Sequence, residues 1–346
     1  MEERMKKLVF LLVFAILLTG CAQPATPDVA PTPTMISLGG ALDTLVAPRT
    51  ATPSATPEAT MTPAPPWGEW PGPIRVRGDE PPPVRRIGDL PGRRAYLILG
   101  ADWREGRETY NTDTIILALA NTEDNFVSLV SIPRDLLVFV PGLGMSRINQ
   151  VFALLGWEGM RDTISYNFGI EPLAYAVIDM QAFERVVDRV GGIDVSPEAD
   201  LDERCWGTDF DLLAGHTYHL DGRHAMCYAR NRGTTDDFSR MARQQEVLYA
   251  IFRQLTRYVI QDPTVIVDIT TDLFNVYERY VGTNAFLPRE TETLLLLLPW
   301  EAPRTYVIGD ALTTPFADSD LGPWLLLPNF DVRYYMEEAA QGRAWQ

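Results

Sequence analysis

The chain has 346 residues, 46% hydrophobic and 22% charged, enough to bury a substantial core once non-folding segments are set aside. Its 30 Lys+Arg stand against 46 Asp+Glu for a formal charge of -16, which excludes the broad basic footprint of a nucleic-acid binder. The lysines, Lys6 and Lys7, both lie at the extreme N-terminus, so any basic cluster downstream is a local construction of arginine forks.

Arg4, Lys6 and Lys7 precede an unbroken apolar run of eleven residues, Leu8 to Leu18. A stable transmembrane helix needs ~20 residues, so this run reads as a secretory signal peptide. It ends Leu18-Thr19-Gly20-Cys21, which resembles a bacterial lipobox. On that resemblance residues 1–21 are the leader, and Cys21 becomes the acylated N-terminus, held in the membrane by ~0.8 kcal/mol per buried methylene. The alternative is an ordinary signal peptide followed by a chance cysteine. Residues 22–93 are rich in Pro, Thr, Ala and Ser, as in Ala51-Thr52-Pro53-Ser54-Ala55-Thr56-Pro57. Such a stretch buries too little to offset its ordering entropy and is expected to be a disordered or polyproline-like stalk.

Folding is expected over residues 94–346. Ala95 to Gly100 is a short apolar run ending in glycine, as in a buried strand. Thr114 to Ala120 and Phe126 to Ile132 are further strands, and the polar Asn121 to Asn125 between them makes the pair a hairpin. Ile148 to Leu155 and Gly159 to Asn167 read as helical, Ala174 to Ile178 as a strand, Gln181 to Val190 as a helix, and Gly191 to Val195 as turn and strand. His224 to Ala229 is a short helix and Phe238 to Tyr258 a long amphipathic one. Beyond Gln261 the signal weakens, with helices over 263–274 and 287–298 and a strand over 304–309. The pattern predicts an α/β domain with a mixed central β-sheet sandwiched between helices.

Candidate chemistry gathers at the strand ends. Asp102 follows the first strand and Asp113 precedes the second; if these strands are neighbours, both carboxylates reach one edge. Hard oxygens with open positions suit Mg²⁺ or Mn²⁺ that also holds substrate phosphates, whereas a lone Asp in this setting also serves as a turn cap. In Ser131-Ile132-Pro133-Arg134-Asp135 proline stops the ladder and leaves either Arg134 as a candidate phosphate ligand that Asp135 orients or the two as a plain surface ion pair. Ser146-Arg147-Ile148-Asn149 puts a cation and an amide at a helix start, where orphan N–H groups favour an anion. Arg230 and Arg232, then Arg240 and Arg243 with Gln244 and Gln245, concentrate planar donors that suit phosphate or pyrophosphate. The plain alternative is a solvated helix face paired with Asp236 and Asp237. Cys205 and Cys227, 22 positions apart, either pair or remain two buried thiols. His216, His219 and His224 lack a zinc-protease spacing, and the chain has neither a Gly-x-Ser-x-Gly elbow nor a Walker loop.

Seven segments together resemble the LytR-CpsA-Psr (LCP) domain, also known as the cell-envelope-related transcriptional attenuator domain. They are Asn111-Thr112-Asp113-Thr114, Ser131 to Asp135, Arg147-Ile148-Asn149, Val190 to Val195, Leu220 to Ala225, Tyr228 to Arg232, and Arg243-Gln244-Gln245, in the family's order and spacing. The likeness covers about residues 95–255 and weakens over 261–346. It implies a membrane-anchored enzyme outside the cytoplasm that moves a glycopolymer from a polyprenyl-pyrophosphate carrier to peptidoglycan or another wall glycan, without contact to nucleic acid. It also implies that Asp102 and Asp113 bind the metal and that Arg134, Arg230, Arg232 and Gln244 contact the pyrophosphate. Arg147 stands where the family commonly has lysine, and many relatives are anchored by a transmembrane helix instead of a lipid. The polyprenyl tail requires an apolar groove, with Val151, Phe152, Leu154 and Leu155, or Phe183, Val186, Val187 and Val190, as candidate walls unless they are plain core. A metal-dependent lipid-pyrophosphate hydrolase and a non-catalytic polyprenyl-phosphate-binding lipoprotein are the competing readings.

Overall fold

The computed structural model describes residues 83–84, 86–87, 92–102, 110–205, 208–232, 236–261, 281–283, 302–318, 322–329 and 331–344. The leader with Cys21, most of the expected stalk, and the helices expected over 263–274 and 287–298 lie outside the described residues. In chain order the elements are β1 (Arg93–Ala101), β2 (Thr112–Asn121), β3 (Phe126–Ser131), β4 (Leu137–Val140), β5 (Gly144–Arg147), α1 (Ile148–Phe168), β6 (Ala174–Asp179), α2 (Met180–Arg189) and β7 (Ile193–Val195). They continue with β8 (Leu201–Cys205), β9 (Thr208–Leu212), β10 (Tyr218–Leu220), α3 (Gly222–Arg230), α4 (Asp237–Gln261), β11 (Val281–Thr283), β12 (Arg304–Val307), β13 (Thr313–Asp318), β14 (Gly322–Pro328) and α5 (Val332–Gln341).

The central sheet has the order β11-β6-β1-β2-β3-β12. β2 pairs antiparallel with both β1 and β3, whereas β6 runs parallel to β1 and β12 parallel to β3, so the sheet is mixed as expected. The β2–β3 hairpin closes because Asn121 Oδ1 accepts from the amides of Glu123 and Asp124, and Asn125 takes the left-handed φ of 52° that asparagine tolerates. Alternate residues then face opposite layers. Leu97, Leu99 and Leu117 pack with Ile148, Met160 and Ile164 of α1 and Met336 of α5 in the main core. Ile116, Ala118, Ala120, Val127 and Leu129 face the other way, toward Leu248 of α4. Full burial of each large aliphatic side chain contributes roughly 1.5–3 kcal/mol, and this two-faced burial fixes the register. The break anticipated between the two halves of α1 is a kink at Gly156 (φ 65°, ψ -158°).

The chain joins the domain before Arg94, earlier than its composition suggested. Val84 N donates to Tyr166 O and Ile87 N to Gly169 O, each at 2.9 Å, and the Ile87 side chain packs on the main core.

A second core lies between α2, α3, α4 and the short strands, with Val187, Val190, Ile193, Leu220, Tyr228 and Val247 buried in it. Its geometry explains the Leu220-Asp221-Gly222 segment. Asp221 caps α3 by accepting from His224 N, and Gly222 lies so close to α2 that an added Cβ would stand 2.1 Å from the Glu184 carbonyl oxygen. Because that neighbour is backbone, Gly222→Ala is expected to force the helices apart and cost about 1–3 kcal/mol. Thermal denaturation should show a melting temperature several degrees lower.

Cys205 and Cys227 form a disulfide with Cα atoms 5.9 Å apart, fastening the β8–β9 hairpin to α3. The pairing left open by the sequence is therefore present in the fold. Closing a loop of this length restricts the unfolded chain by about 3 kcal/mol, so Cys205→Ser with Cys227→Ser should lower stability to denaturant by that order. A thiol reductant should do the same to the wild type and nothing further to the double variant.

Candidate functional site

β1 and β2 end at the same edge of the sheet, and there the ladder slips. Gly100 pairs with Thr114 but Ala101 with Thr112, so β2 supplies one residue more, and Asp113 is the bulged residue. A bulge re-aims a side chain out of the regular alternation. The flanking residues hold the bulge in place: Thr112 is buried with Oγ1 donating to Asn149 O at 3.2 Å, and Thr114 lies against Gly100. Asp102 begins directly after β1, with its amide 2.9 Å from Asn111 O, so both carboxylates expected at this edge are there.

After β3, Pro133 ends the ladder and the chain turns, with Leu136 N donating to Pro133 O at 3.0 Å and Arg134 and Asp135 as the central residues. Ile148 N and Asn149 N donate to Leu136 O and Arg134 O, so these two amides at the start of α1 hold the turn. This corrects the expectation that they receive an anion. From the turn a chain of ion pairs runs outward. Arg134 Nη1 is 3.0 Å from Asp113 Oδ2 and Arg134 Nε 3.3 Å from Asp135 Oδ2, and Asp135 Oδ1 lies 2.9 Å from Arg147 Nη1. Arg147 Nη2 donates to Pro323 O. Arg147 is thus a strut between Asp135 and β14.

Arg232 and Arg240 join from the other side, clasping Asp237 of α4 at 3.2 Å and 2.9 Å. Burial pulls the Arg232 guanidinium below the ordinary arginine value, and the cations of Arg240 and Arg134 pull it further, against Asp237 and Asp113. Burial also works against Arg134, but Asp113, Asp135 and Asp237 outweigh it and its pKa stands above the usual value. Arg232 thus feels two other guanidiniums, a setting in which added negative charge is favourable. Among the described residues, buried Arg240 Nε and Asn149 Oδ1 lack a hydrogen-bond partner, an arrangement that costs roughly 1–3 kcal/mol per group until something fills it. Asp237 pairs with the cluster as the plain reading anticipated, whereas Asp236 accepts from Ser239 N.

Arg230 stands apart from this chain. Its Nη1 lies 2.8 Å from Met180 Sδ, directly after β6, whose Asp179 pairs with Ala101, so Arg230 flanks the same edge on the Asp102 side. Gln244 is buried with Nε2 on Ala229 O at 3.3 Å. Its neighbours act alike. Arg243 donates to Tyr228 O and Asn231 O, and Gln245 Nε2 reaches Leu129 O, Ser131 Oγ and Tyr306 O. The Arg243-Gln244-Gln245 triplet therefore fixes α4 to the sheet and holds the segment that presents Arg230 and Arg232.

Between the sheet and α4 lies a cavity of about 120 Å³, lined by Tyr96, Ile98, Ala118, Leu129, Leu248 and Phe252 among others. None of the eight candidate groove residues lines it, and for most of them the plain-core alternative holds. Val151 and Phe152 belong to the main core, Val187 and Val190 to the second core with Phe183 packed on it, and Leu154 and Leu155 are exposed. The cavity lies along α4, the helix that carries Arg240. From Arg240 to Leu248 α4 rises ~12 Å, and from Asp102 back to Ile98 β1 spans ~13 Å, so a charged end and an apolar end lie one short chain-length apart.

A model of the LytR_cpsA_psr family matches residues 91–293. The chain belongs to the LytR_cpsA_psr family. This LytR_cpsA_psr chain is 30% identical over 198 residues to Regulatory protein MsrR of Staphylococcus aureus strain COL, covering 56% of this chain and 57% of that protein. It is 32% identical over 163 residues to Polyisoprenyl-teichoic acid--peptidoglycan teichoic acid transferase TagU of Bacillus cereus strain ATCC 14579, covering 46% of this chain and 52% of that one. The chain thus spans a little over half the length of the curated relatives it matches. Its fold matches the crystal structure of B. subtilis TagV with a TM-score of 0.58 at 21% identity, over 73% of this chain and 99% of that one. It matches TagT bound to LIIa-WTA with a TM-score of 0.57 at 21% identity, over 78% and 98%. The mixed sheet between helices is therefore the fold of the LytR_cpsA_psr family.

Proposed function

We propose that this protein is a phosphotransferase that takes a glycopolymer from a polyprenyl-pyrophosphate carrier and joins it to peptidoglycan or another wall glycan, outside the cytoplasm. The observation that carries the reading is the pairing of Arg134, Arg232 and Arg240, beside Asp113, with an apolar cavity under α4, the helix that carries Arg240. A lipid diphosphate is the ligand class with one densely anionic end and one slender apolar end. The relative named as a teichoic acid transferase and the fold neighbour bound to LIIa-WTA support the same class of substrate. The lipobox-like Leu18 to Cys21 supports export and a lipid anchor, and the disulfide supports an oxidising compartment.

In the reaction an acceptor hydroxyl oxygen attacks the glycan-side phosphorus. The new oxygen–phosphorus bond forms as the bond to the bridging oxygen breaks, and polyprenyl phosphate leaves with that oxygen and its charge. The hydroxyl proton passes to a carboxylate at the strand edge. Arg134, Arg232 and Arg240 hold their charge in place beforehand, so the growing charge on the leaving group meets fixed donors without reorganisation. Asp102 and Asp113, with the unpartnered Asn149 Oδ1 nearby, form a hard-oxygen set that fits Mg²⁺ or Mn²⁺. Among the described residues no group of three His, Cys, Asp or Glu side chains could by itself hold an ion. Bound there, the ion would neutralise phosphate charge as a Lewis acid.

Incubating the protein with Mg²⁺, a polyprenyl-pyrophosphoryl glycan and a wall-glycan acceptor should give covalently joined product and one polyprenyl phosphate per transfer. Release of free glycan phosphate at the same rate without acceptor would replace this reading with the hydrolase, and tight carrier binding without turnover would replace it with the lipid-binding protein.

A further inference from the structure

Trp324 is 83% exposed, the most exposed large hydrophobic side chain among the described residues, and its backbone adopts φ 63°. For a bulky residue the left-handed region is disfavoured, and glycine is what such positions ordinarily hold. The conformation has a local cause. Between Phe316↔Leu325 and Asp318↔Gly322 the β13–β14 ladder slips, with β14 supplying the extra residue at Pro323–Trp324. Directly after the slip the strand is fastened. Leu325 and Leu327 are buried against Leu137, and Leu326 N donates to Asp135 O at 3.0 Å. A strained backbone that presents an indole to water loses stability twice, and among the described residues no packing of the 83% exposed ring compensates for it.

The position of the indole indicates what it serves. Leu326 bridges Leu136 in parallel, and two residues back along the two chains stand Trp324 and Arg134. The carbonyl before Trp324, Pro323 O, accepts from Arg147 Nη2 at the outer end of the chain that runs through Asp135 and Arg134 to Asp113. Trp324 thus directly follows the residue bonded to Arg147 and stands two residues before the Leu326–Leu136 bridge, beside the rim of the anion site. The ligand proposed there carries sugar rings immediately beyond its phosphates, and a pyranose has an apolar C–H face matched by a flat indole.

We infer that Trp324 is a sugar-stacking platform at the mouth of the arginine site, positioning a pyranose ring of the glycan on one side of the reacting phosphate. The inference rests on the transferase reading above. The ring belongs to the donor glycan or to the acceptor glycan, which share this chemistry. A bilayer surface is the competing occupant of an exposed Trp. It is disfavoured because the other exposed aliphatic side chains are scattered; Leu143, for one, lies in the β4–β5 turn, at the end of that hairpin away from Arg147.

The test uses Trp324→Gly, which removes the indole and accepts the backbone, with Trp324→Phe as the partial restoration. Trp324→Gly should melt no lower than wild type and raise KM roughly tenfold for one glycan substrate, about the loss of one ring's apolar contact. Trp324→Phe should recover part of that change. A rise for the glycan-bearing carrier, with the KM for acceptor unchanged, assigns the donor ring, and the reverse assigns the acceptor. Independently of turnover, soluble wall oligosaccharides should shift the indole resonance of Trp324 and leave the other tryptophans unmoved. Unchanged KM values for both glycans with an unmoved indole would overturn the inference while leaving wild-type transfer intact. Reduced sedimentation of Trp324→Gly with anionic lipid vesicles, at unchanged KM values, would overturn it in favour of the membrane. Absence of wild-type transfer would refute the enzyme reading, and the indole shift would then decide sugar binding alone.

Discussion

Arg134→Ala should lower kcat/KM for glycopolymer transfer by at least about a hundredfold, the usual scale for losing one preorganised donor to a developing oxyanion. The expected loss is large for two reasons. Arg134 is the guanidinium that bonds Asp113 directly, so it brings positive charge to the strand edge where the bulge aims that carboxylate. Without it, Asp113 and Asp135 face the incoming phosphates with less compensation, so attraction gives way to repulsion. The turn that carries Arg134 is held by backbone hydrogen bonds from Leu136 and Asn149, so truncation should leave the melting temperature within a few degrees of wild type. Arg134→Lys, with one point charge in place of a fork, should recover only part of the rate. Steady-state kinetics of the three forms, with thermal denaturation alongside, tests this. Equal kcat/KM for wild type and Arg134→Ala would remove Arg134 from the chemistry.

Ala118→Phe should abolish use of the long-chain carrier while sparing the headgroup. Ala118 lines the cavity between the sheet and α4, and a phenyl ring there occupies the volume assigned to the polyprenyl tail. Each methylene kept out of the cavity forfeits ~0.8 kcal/mol, so excluding one five-carbon isoprene unit amounts to ~4 kcal/mol, near a thousandfold in affinity. A pyrophosphate on a chain too short to reach the cavity should bind wild type and variant alike. The ring fills empty space, so stability should be held or raised in a denaturant titration; a loss of several kcal/mol would signal overpacking, and the smaller Ala118→Val should then give a graded effect. Undiminished binding of the long-chain carrier by a folded Ala118→Phe protein would place the tail elsewhere.

What could be read from the sequence follows from which forces act locally. The strands at Ala95 to Gly100, Thr114 to Ala120 and Phe126 to Ile132 were legible because buried faces impose apolar runs, and the turn at Asn121 to Asn125 was legible because asparagine closes it by its own side chain. Asp113 and Arg134 were legible as charges at strand ends. The roles of Arg147, Gln244 and Gln245 were not. A guanidinium or amide that braces a backbone carbonyl is the same residue type as one that binds phosphate, and only the fold reveals which carbonyls lie within reach. The cavity escaped for a related reason. Its walls are mainly alternate residues of three strands and one turn of α4, a surface that exists only once the sheet has its register, whereas the spacing of Val151 and Phe152 suits a groove or a core alike, and they are core. The bulges at Asp113 and Trp324 are also products of pairing between distant segments, and no single stretch announces them.

The central claim is that the arginines and the cavity hold opposite ends of one molecule. The most direct measurement is an experimental structure with a polyprenyl pyrophosphate bound in the presence of Mg²⁺. The account predicts phosphate oxygens within hydrogen-bonding distance of Arg134, Arg232 and Arg240, the ion on Asp102 and Asp113, and the isoprenoid chain passing between Ala118 and Leu248. A diphosphate bound away from Arg134 and Arg232, or a chain running over α1 instead of beneath α4, would contradict it.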